Sequence, residues 1–241
     1  MYVNKSVSVV FGTYREKNSI KSVIDSFFDT GFVDEIIVVN NNAQEGTDEE
    51  VKKTKAKLIH EKRQGYGYAY QAGIKHAKGD YIVLCEPDGT YIGSDIEKLL
   101  IYAKDNFDVV LGSRTDQIGP LSGADMDFFR KWANVIEAKT IEVLFNTNSL
   151  TDVGCTYKLF KKSALNKLSQ HWRTTNSLFA TELLLLTVSQ NLKFIEIPIN
   201  FRKRVGVSSL TGKWYQLIKW ALLIQTYIFS FWLRWLFNKL K

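Results

Sequence analysis

Short runs of aliphatic and β-branched residues recur along the first half of the chain. Each is closed by a polar or glycine-containing turn and followed by a stretch with helical spacing. Ser6–Phe11, Glu35–Val39, Lys57–His60, Tyr81–Cys85 and Asp108–Leu111 read as strands. Asn18–Phe28, a charged segment running through Lys55, Gly67–Lys78 and Asp95–Ala103 read as the helices between them. Strands and helices alternating at this spacing predict an α/β fold with a doubly wound, largely parallel sheet. Ligands of such sheets bind at the carboxyl ends of the strands. Thr13–Glu16, Asn40–Asn42, Glu86 with Asp88, and Ser113-Arg114 all fall there. Past residue 113 the pattern loosens. Leu121–Asp125 reads as a loop, Asp127–Phe145 as a long helix, Cys155–Phe160 as a strand and Leu178–Ser189 as a helix, with Phe194–Ile197 leading into an extended segment at Pro198. No repeat or Pro-rich linker intervenes, so residues 1–212 are expected to form one domain.

The segment 213–241 has a different pattern. At 100° per residue Lys213, Gln216, Lys219, Thr226, Ser230, Arg234, Asn238 and Lys241 fall in a sector roughly 140° wide. The rest is dominated by Trp214, Leu217, Ile218, Leu222, Ile224, Ile228, Phe229, Trp232, Leu233, Trp235 and Leu236. A basic stripe opposite a Trp/Leu/Phe face reads as an amphipathic helix lying in a membrane interface. A helix docked on the domain or on a partner, and a spanning or re-entrant segment, are the weaker readings. The uncharged run Trp220–Leu233 is 14 residues, short of the ~20 needed to span a bilayer.

Charge sharpens this division. The net charge is +7, yet the eight basic residues after position 200 face no acidic ones, and the 24 before it face 25. A neutral body with a cationic tail points to anionic lipid headgroups rather than to nucleic acid. Cys85 and Cys155 sit in apolar strand-like surroundings and read as buried free thiols of a reducing compartment. The apolar run Val7–Phe11 is too short for a secretory signal.

The stretch Asp80-Tyr-Ile-Val-Leu-Cys-Glu86-Pro-Asp88-Gly carries the strongest chemical signal. A buried strand ends in two carboxylates one residue apart, then a glycine that permits a sharp turn. Side chains two apart on an extended backbone point the same way, so Glu86 and Asp88 can converge on one hard cation. Oxygen-only ligands suit Mg²⁺ or Mn²⁺ bound together with substrate phosphates. Other signals are weaker. Gly65-Tyr-Gly67 lacks the third glycine of a dinucleotide fingerprint, neither a GxxxxGK[ST] loop nor GxSxG occurs, and His60, His76 and His171 lack metal-ligand spacing. Gly65, Ala69 and Gly73 form a small-residue helix face suited to close packing.

Several segments together resemble family-2 glycosyltransferases of the GT-A fold, and among them the polyprenyl-phosphate (dolichyl-phosphate) hexose synthases. Val9-Val-Phe-Gly-Thr-Tyr-Arg-Glu16 resembles the strand and P-x-Y-N-E turn, with Gly12 and Arg15 replacing Pro and Asn. Ile36-Ile-Val-Val-Asn40-Asn41-Asn42 resembles the strand before D-D-x-S, and Glu86-Pro-Asp88 resembles the D-x-D metal motif. Leu111-Gly-Ser113-Arg114, Asp152-Val-Gly-Cys-Thr-Tyr-Lys-Leu-Phe160 and Arg204-Val-Gly206-Val-Ser208 resemble the G-S-R, D-x-G-x-x-x-R/K-L and R-x-G-x-S-K segments. Asn41 stands where an acidic residue usually contacts the base, Thr90 where a glutamine is frequent, and Ser209 where a lysine is expected, Lys213 being the nearest substitute.

The resemblance implies an inverting, metal-dependent transfer of a hexose from a UDP- or GDP-linked donor to a membrane polyprenyl phosphate. It places Thr13, Tyr14, Glu16, Asn41, Gln64, Gly65, Glu86 and Arg202 at the donor, with Mg²⁺ or Mn²⁺ on Glu86 and Asp88. Asp88, Arg114, Asp152, Glu182 and Arg204 would serve the reaction, the arginines on phosphate and the two other carboxylates on the acceptor side. Glu182 also suits simple compensation of a helix dipole. The competing readings are transfer to a glycolipid or saccharide hydroxyl, for which Asp152 or Glu182 would be the base, and a non-catalytic sugar-nucleotide-binding protein. The protein is expected at the cytoplasmic face of a membrane, peripheral or monotopic. A homo-oligomer is compatible with the sequence, and nucleic acid is not an expected partner.

Overall fold

The computed structural model describes residues 4–115, 128–147, 149–206 and 214–240. The strands are β1 (Val7–Thr13), β2 (Glu35–Asn40), β3 (Lys57–His60), β4 (Tyr81–Cys85), β5 (Val109–Ser113), β6 (Lys158–Lys161) and β7 (Phe194–Pro198). The helices are α1 (Lys17–Phe28), α2 (Thr47–Lys52), α3 (Tyr66–His76), α4 (Ile96–Lys104), α5 (Phe128–Phe145), α6 (Lys162–Ser169), α7 (Phe179–Ser189) and α8 (Trp214–Lys239). The expected loop Leu121–Asp125, the first residue of the helix expected from Asp127, and Ser208, Ser209, Lys213 and Lys241 lie outside the described residues.

One seven-stranded sheet has the order β3-β2-β1-β4-β6-β5-β7. β1 to β4 are mutually parallel, β6 runs antiparallel between β4 and β5, and β7 is parallel to β5. The chain winds outward from β1 through β2 to β3 and then returns to β4 on the other side of β1. That reversal opens a crevice beyond the carboxyl ends of β1 and β4, the usual ligand position in such sheets. Alternation along β1 sends Val9 and Phe11 into a core shared with α1 and α4, and Val10 into a second core under α3 and α7. Both cysteines are buried and free.

Several boundaries differ from the sequence reading, each for a local reason. The strand expected from Cys155 begins at Lys158, because Thr156 gives its N–H to the Tyr91 hydroxyl (3.2 Å) instead of to a ladder. The charged helix ends at Lys52 rather than Lys55. There the Thr54 hydroxyl donates to the Val51 carbonyl (2.7 Å) and accepts the Ala56 N–H (3.1 Å). Helix α3 stops at His76 because Ala77 is already extended and Lys78 donates to Glu35 (2.6 Å). Helix α6 had no counterpart among the expected elements.

α8 is not a detached appendage. It packs against α5 and α7 and sends Ile224 and Ile228 into the second core. The apolar residues that look like one face in the sequence divide into two. Leu217, Trp220, Ile224, Ile228, Phe231 and Trp235 turn toward the body, while Tyr215, Ile218, Leu222, Phe229, Leu233 and Phe237 are exposed. Among the described residues no helix is long and apolar enough to cross a membrane.

Candidate active site

The loops leaving the carboxyl edge of the sheet around β1 and β4 enclose a cavity of about 750 Å³. After β1, the Glu16 carboxylate folds back on its own turn. It accepts from the Thr13 hydroxyl (3.2 Å) and from the backbone N–H groups of Tyr14 (2.7 Å) and Arg15 (2.8 Å). After β2, the buried Asn41 amide is fully occupied. Its Nδ2 donates to the carbonyls of Glu61 (2.8 Å) and Arg63 (2.7 Å), and its Oδ1 accepts the Gly65 N–H (2.8 Å) and, more distantly, Gln64 Nε2 (3.4 Å). Asn41 therefore shapes the loop 61–65, and its hydrogens are not available to a base edge. That loop needs its glycines. A Cβ on Gly65 would lie 2.4 Å from the Thr175 carbonyl oxygen, and one on Gly67 would lie 2.7 Å from Thr175 Cα.

After β4, Gly89 takes φ +81° and turns the chain back under Asp88. Asp88 is buried and uses one oxygen for the Thr90 N–H (2.9 Å) and hydroxyl (2.5 Å). Its other oxygen accepts Arg204 Nε (2.6 Å), and Arg204 Nη2 reaches Glu86 Oε2 (2.8 Å) and Asp88 Oδ2. The two carboxylates thus converge on one cationic group, as their spacing predicts. Burial and the Asp88 charge push the Glu86 carboxyl up to about 7, against the pull of Arg204. The segment carrying Arg204 is itself pinned to this turn, through Arg202 N–H to the Thr90 carbonyl (2.8 Å) and Val205 N–H to the Asp88 carbonyl (2.9 Å). No group of three or more metal-ligating side chains occurs among the described residues. The all-oxygen pair Glu86 and Asp88, already gathered around a positive group, nonetheless fits a hard divalent cation that draws its other ligands from phosphate and water.

At the end of β5, Arg114 meets Asp152 in a two-pronged pair, Nε to Oδ2 and Nη2 to Oδ1 at 2.8 Å each, with the Arg114 N–H adding a third bond (2.9 Å). Full burial would raise the Asp152 carboxyl, but the charge and hydrogen bonds of Arg114 hold it below its ordinary value. Arg114 lines the cavity and Asp152 stands behind it.

Of the residues singled out in the sequence, Thr13, Tyr14, Glu16, Asn41, Gln64, Gly65, Glu86, Asp88, Arg114, Arg202 and Arg204 line this cavity. Asp152 and Glu182 do not. Glu182 is wholly buried and accepts from Thr174 N–H (2.9 Å), Thr174 hydroxyl (2.7 Å), Arg173 N–H (3.1 Å) and Tyr227 hydroxyl (2.9 Å). Sequence reasoning missed the wall made by Arg130, Asn134 and Glu137 of α5, and by Leu217, Trp220 and Ile224 of α8. The 130/134/137 spacing places those three side chains on one helix face, which is the signal that could have found them. Glu137 is 4% exposed. Burial first, and then the Asp152 charge, push its carboxyl up to about 8.

The model of Glycosyl transferase family 2 matches residues 8–169, from the first strand to the end of α6. The chain belongs to this family. As a family-2 glycosyltransferase it has curated relatives over most of its length. A dolichyl-phosphate hexose transferase of Haloferax volcanii is 28% identical over 213 residues, covering 87% of this chain and 88% of its own. A dolichyl-phosphate β-glucosyltransferase of Saccharomyces cerevisiae is 25% identical over 228 residues, covering 83% of this chain and 68% of its own. Among solved structures, glucosyl-3-phosphoglycerate synthase from Mycobacterium tuberculosis in complex with phosphoglyceric acid superposes with a TM-score of 0.72. It does so at 16% identity, over 96% of this chain and 80% of the other. The same enzyme with Mn²⁺, UDP and glucosyl-3-phosphoglycerate gives 0.71 at 15% identity, over 96% and 80%. The fold of this glycosyltransferase is therefore GT-A, as the sequence motifs imply.

Proposed function

We propose that this glycosyltransferase moves a hexose, with inversion, from a UDP- or GDP-linked donor to the phosphate of a membrane polyprenyl lipid, and that it depends on Mg²⁺ or Mn²⁺. The observation that carries this reading is the make-up of one cavity. A carboxylate pair and several arginines line it, together with Arg130, Asn134 and Glu137 of α5 and the apolar Leu217, Trp220 and Ile224 of α8. The names of the two relatives and the Mn²⁺–UDP complex of the structural neighbour support it.

Glu86 and Asp88 would hold the cation, which when bound neutralises charge on the departing diphosphate. Glu16, Gln64 and the loop shaped by Asn41 would frame the nucleotide end. Arg114, fixed by Asp152, and Arg202 and Arg204 would orient phosphate groups. A lipid phosphate is already anionic near neutral pH, so it needs orientation and charge compensation more than a base.

The outer surfaces of α5 and α8 suit the same reading. Phe128, Phe129, Trp132, Ile136 and Val143 are exposed on α5, opposite its cavity-facing residues, and α8 exposes its own apolar stripe beside Lys219 and Arg234. Such stripes suit insertion at a headgroup boundary. We place the catalytic body in residues 1–212 and the membrane-seating helix in 213–241, peripheral at the cytoplasmic face.

The test is a panel of radiolabelled UDP- and GDP-sugars, with and without polyprenyl phosphate and Mn²⁺, read by lipid extraction. Label entering the organic phase only with lipid phosphate and metal is the expected result. A second reading, transfer to a hydroxyl, would need a base. The cavity carboxyl suited to it is Glu137, since Asp152 and Glu182 stand outside the cavity. Label moving to a saccharide acceptor, and lost in Glu137→Gln, would favour that reading.

A further inference from the structure

Glu182 is buried without touching the cavity, and its partners connect two distant parts of the molecule. Three of its hydrogen bonds come from the strap at residues 173–174 and the fourth from Tyr227 of α8. The strap continues onto the amino end of α3. The Thr174 carbonyl accepts Gln71 Nε2 (2.9 Å), the Thr175 carbonyl accepts the Tyr68 N–H (3.2 Å), and Gly65 and Gly67 leave no room between the two backbones. Gly65 is in turn bonded to Asn41, and Asn176 and Ser177 of the strap face the cavity. An unbroken path of hydrogen bonds and close backbone contact thus leads from α8 to the loop at the proposed donor end.

We infer that Tyr227 is a positioning residue, which ties the seat of α8, through Glu182 and the strap, to the donor-side loop 61–68. A buried carboxylate must have its charge met by donors. The hydroxyl from α8 supplies one that the strap does not. Any shift of α8 against the body, of the kind that seating its outer stripe in a lipid surface would impose, changes how Glu182 is aimed and so where the strap presses on α3. This inference rests on the donor and membrane readings proposed above.

The test uses the full chain and Tyr227→Phe, which keeps the ring and removes only the hydroxyl. Three measurements are needed: affinity for UDP and GDP with Mn²⁺, amide hydrogen exchange, and sedimentation with phosphatidylcholine/phosphatidylglycerol vesicles. Nucleotide affinity should fall about three- to tenfold, within the net worth of one ordinary hydrogen bond. Exchange should quicken at residues 63–68 and 173–175 while the central strands stay protected and vesicle binding persists. Unchanged exchange at 63–68 would overturn the inference, as would quickening spread evenly over the sheet. A wild-type chain that bound neither nucleotide, or no vesicle, would sink the corresponding reading above. The exchange at 63–68 would still decide the coupling.

Discussion

Arg114 and Asp152 close the end of β5 as a pair, Asp152 wholly buried and Arg114 reaching the cavity with its side chain 15% exposed. Asp152→Asn would leave the guanidinium charge without its partner, an expected loss of about 3–5 kcal/mol in denaturant unfolding. Because the folded protein holds this carboxyl below its ordinary value, its contribution is present above the unfolded value near 3.8. It is lost as pH falls through the lower folded one. The variant should therefore show a flatter acid limb in a pH series of unfolding. Glu137 has the opposite sign. Raised to about 8, it binds a proton more tightly folded than unfolded, so its ionisation costs stability progressively from about pH 4.5 to about pH 8. Glu137→Gln should be near neutral at pH 5 and increasingly stabilising toward pH 8, as melting curves across that range would report. Asp88→Asn tests the cation directly: turnover is expected to drop at least about a hundredfold and not to recover with added Mn²⁺, consistent with the several kcal/mol such an ion supplies. At this scale the sequence announced the pair Glu86 and Asp88, because alternation on a strand fixes side-chain direction. It could not announce that Asp152 and Glu182 are spoken for, because their partners lie up to 45 residues away.

The elements were legible where one pattern governed them. β1, β2 and β4 are built on short runs of mostly aliphatic and aromatic residues, and their ends appear within a residue or two of expectation. Both long helices of the second half are expected from the sequence, but their faces are not legible there, because each serves two surroundings. α5 gives Arg130, Asn134 and Glu137 to a cavity and Trp132 and Ile136 to solvent, so its sequence shows no clean stripe. In α8 two apolar faces, one against the body and one outward, look like a single wide face until the fold separates them. The separation makes two distinct predictions. Ile228→Ala, on the inner face, should cost about 2–5 kcal/mol in unfolding free energy with vesicle binding retained. The double change Leu222→Glu and Phe229→Glu, on the outer face, should abolish sedimentation with anionic vesicles while leaving unfolding within about 1 kcal/mol. Loss of both properties in both variants would mean that the two faces act as one.

Over the whole molecule, the reversal of winding between β1 and β4 brings together turns far apart in the chain, and the antiparallel β6 carries the later segments back to the same edge. The sequence order of motifs was enough to infer the family, but not this insertion. A four-residue strand between two parallel ones carries no mark of direction in its composition. Nor could it reveal that residues 202–205 return to the turn after β4, which is what seats Arg204 between Glu86 and Asp88. That seat has a consequence for the order of events. The guanidinium acts as an internal counter-ion, so under the proposed reading a divalent cation arriving alone would have to displace it and leave its charge unpaired. A cation arriving with a diphosphate would offer the displaced arginine a new anionic partner. Metal and nucleotide would then be bound reciprocally, each raising the other's affinity by the same factor, and the resting enzyme would be kept from holding a metal without its donor.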